Sequence, residues 1–514
     1  MGISIEGDKG DRNKKSFLTA LSSVALTISN GLLGVVVTRM ILVQFGSDFN
    51  GLNSSANQIV NMMLILEGGF TLASNVALFS PLNRCDIATV NGILSATKKQ
   101  FCKIGLTFGV VGIVVSLVYA EVVNSSLERQ LIFTIIIMAI IPQVVNLFFV
   151  CKYRVLIQAE QKEYIIALFT LVTTCIGHLI NIVTIPIFKE MWIIRFVTMF
   201  FAVINGVVII LYAKKQYKWI SFQVDERYDL IVGTRDVLLQ KITGVIYSSA
   251  PIIFLSIYPM GGTKVASVYA VYNSIFLIVK GILHGIIDAP KQGIGQLFKE
   301  ADKNRIWDVF EQYEYIAIFT IFCFITTMFV MIIPFVTLYT VDVDDISYTD
   351  FGIALLMVNI TIVELLHIPS GQLINMSGKF DIVKNIQVLA TGLIIFSMPI
   401  FGYWFGVYGF LIAVLMTAIL LAVLEMGYVH IKMFDDKLLN LLRIIIPLII
   451  AGVAICFIEG KLGINANGYI SLLVYSVIVF IGNLLIGIAI GLLFNRREII
   501  GVLNRLKNMC LGGR

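Results

Sequence analysis

Apolar stretches of about 20 residues, the length that crosses a bilayer as a helix, recur from residue 17 to residue 494. They predict fourteen membrane helices, at 17–43, 55–80, 101–120, 131–150, 163–188, 191–213, 233–258, 265–288, 313–338, 351–374, 381–402, 406–430, 442–460 and 471–494. Most are apolar on every face, as a membrane helix or a deeply buried one must be. Spans 55–80 and 233–258 are amphipathic instead, and only a tight turn at Lys189-Glu190 separates spans five and six. The pattern is that of an all-α integral membrane protein. The longest outward connections are expected at 44–54 and 339–350.

The polar segments carry an independent signal, because cytoplasmic loops collect Lys and Arg. With the N-terminus inside and Arg235 counted with the linker before span seven, the inside segments hold 27 Lys and Arg. The outside segments hold 4, namely Arg129, Lys189, Lys264 and Lys461. Outward segment 339–350 has Asp342, Asp344, Asp345 and Asp350 but no Lys or Arg. One missed helix would invert the sign of every later loop. The alternation therefore supports fourteen spans with both termini cytoplasmic. Residues 1–16 are polar, and the apolar stretch after them is longer than a signal-peptide core, so it reads as the first membrane helix.

Composition agrees. Of 514 residues, 58% are hydrophobic and 14% charged, against about 25% charged in soluble domains. The net charge of +6 resides mostly in loops, and no basic run is interleaved with aromatics, which argues against nucleic acid. The seven cysteines fit no zinc or redox spacing, so no metal is expected. No G-x-x-x-x-G-K-[ST] motif occurs. No cofactor is expected, and transport would run on an ion gradient, the membrane potential or substrate consumption.

A basic amphipathic stretch precedes span one (Arg12, Lys14, Lys15), and another precedes span seven (Arg227 to Arg235). An even number of spans separates them, so two halves would share one orientation and relate by an axis along the membrane normal, with a substrate site at their interface. The expected organisation is an N-terminal lobe at 1–213, a cytoplasmic linker at 214–232, a C-terminal lobe at 233–430, and two extra helices with a cytoplasmic tail at 431–514.

Charges inside spans are costly and face a partner or a water-filled cavity. Arg39 in span one, Asn61 and Glu67 in span two, and Lys241 in span seven stand out. So do Asn273, Lys280, His284 and Asp288 in span eight, the last three at i, i+4, i+8 and so on one face. Four amphipathic helices facing each other would enclose a hydrated cavity, with cations Arg39, Lys241 and Lys280 suited to phosphate or pyrophosphate. Structural readings stand beside these. Arg39 at an outer helix end would snorkel. Lys280 and Asp288 would pair elsewhere, and His284 would pack. Glu67, before Gly68-Gly69, would either cap a broken helix or carry a proton. His178, Glu364, His367 and Glu425 read as structural.

Several segments resemble bacterial polysaccharide flippases of the multidrug/oligosaccharidyl-lipid/polysaccharide exporter superfamily. They are Arg39 to Gly46 with Gly51-Leu52-Asn53, Leu66 to Phe70 leading to Leu78-Phe79-Ser80-Pro81-Leu82, Tyr153 to Ile165, Lys241 to Tyr272, and Gly406-Val407-Tyr408-Gly409. The resemblance implies a MATE-like fold of two six-helix lobes around an alternating-access cavity. It implies an oligosaccharide on undecaprenyl pyrophosphate as substrate, for O-antigen or capsule, with membrane lipids and a polysaccharide polymerase as partners, and no enzymatic activity. Two alternatives remain: an ion-coupled multidrug exporter of the same fold, which would want an acidic cavity, and a membrane polysaccharide polymerase or ligase, which would want a large outward loop.

Overall fold

The structure is a computed structural model and describes residues 9–67, 69–231, 234–259, 261–288, 302–435, 437–461 and 468–501. Eleven helical stretches among them are long and apolar enough to cross a membrane, and Ile242–Ile257 is a shorter apolar one. Two of the eleven contain a break. With each break counted as a boundary, the described residues give fourteen segments, in register with the fourteen predicted. Helix is the outcome lipid enforces, since a backbone that meets no water must satisfy its own N–H and C=O groups.

The chain divides into two compact units at Ala270–Val271. In the first lie α1 (Lys9–Met63), α2 (Phe70–Asn83), α3 (Ile87–Val122), α4 (Arg129–Val145), α5 (Cys151–Ala159), α6 (Glu163–Phe188), α7 (Met191–Gln216), α8 (Thr234–Ile257) and the first turns of α9 (Gly262–Asp288). α1 packs on α4, α6 and α8, and α7 packs on both α4 and α6. The core includes Ile41, Phe49, Ile93, Phe108 and Ile136.

The expected outward loop at 44–54 is instead helical. Only Gly46 leaves helical geometry, at φ 79°, a conformation that glycine adopts without steric cost. Just beyond it, Asp48 is buried and accepts bonds from the Ser126 amide at 2.8 Å, the Ser125 hydroxyl at 2.8 Å and the Thr263 hydroxyl. A carboxylate with this many donors is stable out of water, and it ties α1 to the α3–α4 turn and to α9. Span two is broken rather than continuous: a 3₁₀ turn at Leu64–Glu67 precedes Gly69 at φ 69°, which starts α2. Segments 81–100 and 151–162, which the sequence places inside, are also more helical than expected. α3 begins at Ile87, capped by the Asp86 side chain on the Thr89 amide at 3.0 Å. Hydrogen bonds from the Thr89 hydroxyl and then its amide hold the Asp86 carboxyl below its ordinary range, with a smaller pull from Arg227.

The second unit holds the rest of α9, then α10 (Lys303–Tyr339), α11 (Phe351–Leu366), α12 (Ile368–Met376), α13 (Phe380–Gly427), α14 (Leu438–Lys461) and α15 (Tyr469–Phe494). α10 packs on α11, α14 and α15. Its Tyr315, Ile318 and Phe322 form one cluster with Leu441, Ile444 and Leu448 of α14. In lipid, helices gain little from apolar burial against each other, so packing and polar contacts between helices matter more. One such contact is Asn483 Nδ2 of α15 donating to Thr327 Oγ1 of α10 at 3.1 Å. α13 reverses at Gly406, φ 58°, so tightly that a Cβ on Gly409 would lie 1.9 Å from the Phe401 carbonyl oxygen. Leu473, Leu485 and Leu493 of α15 are more than 60% exposed, as a lipid-facing helix should be.

Candidate functional site

In the first unit, the candidate residues lie along α1, the break in span two, and α8. Asn61 is exposed and donates to Gln58 Oε1 at 3.3 Å. The same oxygen accepts the Ser249 hydroxyl of α8 at 2.9 Å. The amphipathic pattern of spans two and seven therefore has a structural source: their polar faces meet. Glu67 sits at the break itself and accepts the hydroxyl of Thr71, in the first turn of α2. It joins the two pieces of the broken helix. Arg39 is half-buried in α1, before Gly46. Lys241 belongs to α8, and its side chain lies outside the described residues.

A fifth group here went unmarked in the sequence. Arg195 of α7 is 6% exposed and donates to Asn53 Oδ1 at 3.1 Å and Asn57 Oδ1 at 2.9 Å. Two amide dipoles thus receive the guanidinium, which has the planar fork needed to hold both. The available signal was a lone Arg in an apolar span, combined with the Asn stripe of span two.

In the second unit, Asn273, Lys280, His284 and Asp288 fall on α9 as expected. Lys280 forms an ion pair with Glu364 of α11, their side chains 16% and 17% exposed. Asp288 accepts from the Gln372 amide of α12. Gln372 Oε1 lies 3.0 Å from the Tyr313 hydroxyl of α10, which is 2.9 Å from the Ile287 carbonyl oxygen. His284 is exposed, and Asn273 is partly buried. Beside them His367 Nδ1 is 2.9 Å from Glu425 Oε2 of α13. Glu364, read from the sequence as structural, is therefore the counter-ion of a candidate residue. The stripe is less cationic than the sequence alone implies, because Lys280 is paired with Glu364. Chemically, such a face offers paired charges, an amide and an imidazole to a polar ligand. Among the described residues, no group of three or more His, Cys, Asp or Glu is placed to hold a metal ion.

The helix arrangement is an all-α membrane fold of the MATE-like type. Solved structures share it. A lipid II flippase, MurJ, in an inward closed conformation superposes with a TM-score of 0.67 at 14% identity, covering 93% of this chain and 100% of that one. A MATE family multidrug resistance transporter of the MOP superfamily, inward-facing, gives 0.62 at 13% identity, covering 83% of this chain and 98% of that one. A MOP superfamily transporter from Pyrococcus furiosus gives 0.50 at 14%, covering 83% and 95%. No family model and no curated protein matches the chain in sequence.

Proposed function

We propose that this chain is a flippase that carries an oligosaccharide on undecaprenyl pyrophosphate from the inner to the outer leaflet of a bacterial cytoplasmic membrane, supplying O-antigen or capsule synthesis. The observation that carries this reading is the extent of the structural likeness. It takes in 93% of this chain against the lipid II flippase and 83% against the MATE transporter. A twelve-helix exporter leaves two of fourteen spans without a counterpart.

The physics fits. Sugars and pyrophosphate cannot shed their water into hydrocarbon without replacement partners. Arg39, Asn61 and Glu67 in the first lobe, and Lys241, Asn273, Lys280, His284 and Asp288 in the second, would supply them. The lobes in this reading are spans one to six and seven to twelve, joined by the linker 214–232. Lys280 would exchange Glu364 for a phosphate oxygen when substrate arrives, so the ion pair serves as the resting partner of a binding cation. Alternate opening of the lobes to either side then completes transfer.

The test is translocation of a fluorescent undecaprenyl-pyrophosphate oligosaccharide in proteoliposomes, run beside efflux of a cationic dye. Movement of the lipid without dye efflux supports the reading. Dye efflux without lipid movement overturns it in favour of a multidrug exporter.

A further inference from the structure

The first unit contains a half-open cavity of about 270 Å³, walled by α4, α5, α6 and α7. This is near the small end of ligand pockets, which run about 300–1,000 Å³, and suits a single sugar ring or a glycerol headgroup. Its mouth carries Thr198 and Ala202, both exposed, so a ligand has a way in.

Its chemistry is unusual for the interior of a membrane bundle. The walls carry Asn146, Thr174, His178, Asn181 and Asn205, and no lining residue is acidic. Asn181 is 2% exposed, and its Nδ2 donates to Thr198 Oγ1 at 3.2 Å. Asn205 Nδ2 donates to Thr170 Oγ1 at 3.2 Å. The carbonyl oxygens of both amides find no donor in the protein. Arg154 lines the same cavity, half-buried, and its Nε–H also has no acceptor. Among the described residues, no carboxylate pairs with it. A cation held without a counter-ion, next to amides with free acceptors, is the complement of a ligand with one anionic group and several hydroxyls. The Arg154 charge, with no acidic wall to offset it, disfavours a cation.

We infer that this cavity is a binding site for a hydroxyl-bearing phosphate ester, its phosphate on Arg154 and its hydroxyls on Asn181, Asn205 and Asn146. A free sugar phosphate and a hydroxylated phospholipid headgroup share that chemistry. The site lies wholly inside the first unit, and none of the eight transport residues named above lines it.

Two binding measurements on the purified full chain test it, and both stand whether or not the chain flips lipid-linked glycans. In phosphatidylcholine nanodiscs, calorimetry with glucose 1-phosphate reports the free source. In native mass spectrometry after purification from phosphatidylglycerol-rich membranes, retained phosphatidylglycerol reports the lipid source. Saturable binding in either arm is expected, at least tenfold weaker in Arg154→Gln and at least threefold weaker in Asn146→Leu. Glucose without its phosphate should bind at least tenfold more weakly than glucose 1-phosphate. Asn146→Leu leaves the charge untouched, so it decides the matter alone should Arg154→Gln not fold. Neither ligand retained, or retention equal in the variants and the parent, means a cavity that holds water only and overturns the assignment.

Discussion

The Lys280 ammonium of α9 and the Glu364 carboxylate of α11 form an ion pair, with each side chain about five-sixths buried. The residues stand 84 positions apart in the chain. Each charge makes the other tolerable away from water. Breaking a buried pair from one side leaves an uncompensated charge and costs about 3–5 kcal/mol, whereas replacing both partners by apolar groups is often neutral or stabilising.

Lys280→Met and Glu364→Leu should accordingly each lower the melting temperature of the detergent-purified protein. The double variant should melt at or above the parent. A differential scanning fluorimetry cycle checks this, and additive losses in the double variant would show that the pair does not stabilise the fold.

The hairpin inside α13 predicts a steric effect. A Cβ at Gly409 would stand 1.9 Å from the Phe401 carbonyl oxygen, and backbone cannot yield as a side chain can. Gly409→Ala should be among the most damaging single changes in the second unit, in the range above about 4 kcal/mol that marks a specific structural fault. Gly406→Ala, which only forces an L-residue to φ 58° and ψ −134°, should cost about 1–3 kcal/mol. Folded yield by size-exclusion chromatography should rank the parent first, Gly406→Ala second and Gly409→Ala last.

Loop charge gives a topology prediction. Single cysteines at Ile220 and Asp345, in a cysteine-free background, should label from opposite sides. Asp345 should react with a membrane-impermeant maleimide in intact spheroplasts, and Ile220 only after lysis. Labelling of both before lysis would mean that the assignment from 27 inside and 4 outside basic residues is wrong.

Arg195 predicts a third kind of outcome. Its two amide partners are on α1, so Arg195→Leu leaves Asn53 and Asn57 without donors. Asn53 is half-buried and Asn57 exposed, so the loss should fall at the low end of the range for stranded groups, about 1 kcal/mol. Arg195→Lys should recover less than half of the loss, because one ammonium lacks the fork that reaches both oxygens. Melting temperatures of the two variants check this.

These sites show what a single sequence carries. The fourteen spans were legible because hydropathy is summed over about 20 residues and survives local error. The polar faces of spans two and seven were legible as amphipathic patterns, and α9 keeps Lys280, His284 and Asp288 on one face because i, i+4 spacing fixes it. A boundary between spans one and two was legible, but not that Gly46 alone makes it while the chain on both sides stays helical. Glycine is common in membrane helices, and nothing local distinguishes one that bends the chain from one that packs. Glu364 was not recognisable as a counter-ion because tertiary pairing leaves no periodic trace. Arg154, Asn181 and Asn205 come from three different helices. Each alone reads as an ordinary polar residue, and only packing brings them to one cavity.

The transport mechanism itself makes the last prediction. A pyrophosphate leaving water needs compensating charge, which Arg39, Lys241 and Lys280 would provide. In a deletion strain complemented with each variant, Arg39→Ala and Lys241→Ala should reduce surface polysaccharide at normal membrane abundance. Arg39→Lys should be milder than Arg39→Ala but not silent, since it keeps charge and loses the bidentate grip. Lys280 separates two roles. If its only function is to neutralise Glu364, the double change Lys280→Met with Glu364→Leu should restore both protein level and glycan. If Lys280 also meets substrate, as the proposed exchange of Glu364 for phosphate requires, the double variant should regain protein level while glycan stays low. Surface glycan by lectin binding and membrane protein by immunoblot, measured on the same cells, give the two readouts. Full glycan from the double variant, or from a variant carrying alanine at all three cationic positions at normal abundance, would sink the charge-compensation mechanism. Glycan loss that tracks protein loss in every variant would do the same, by reducing all three residues to folding roles.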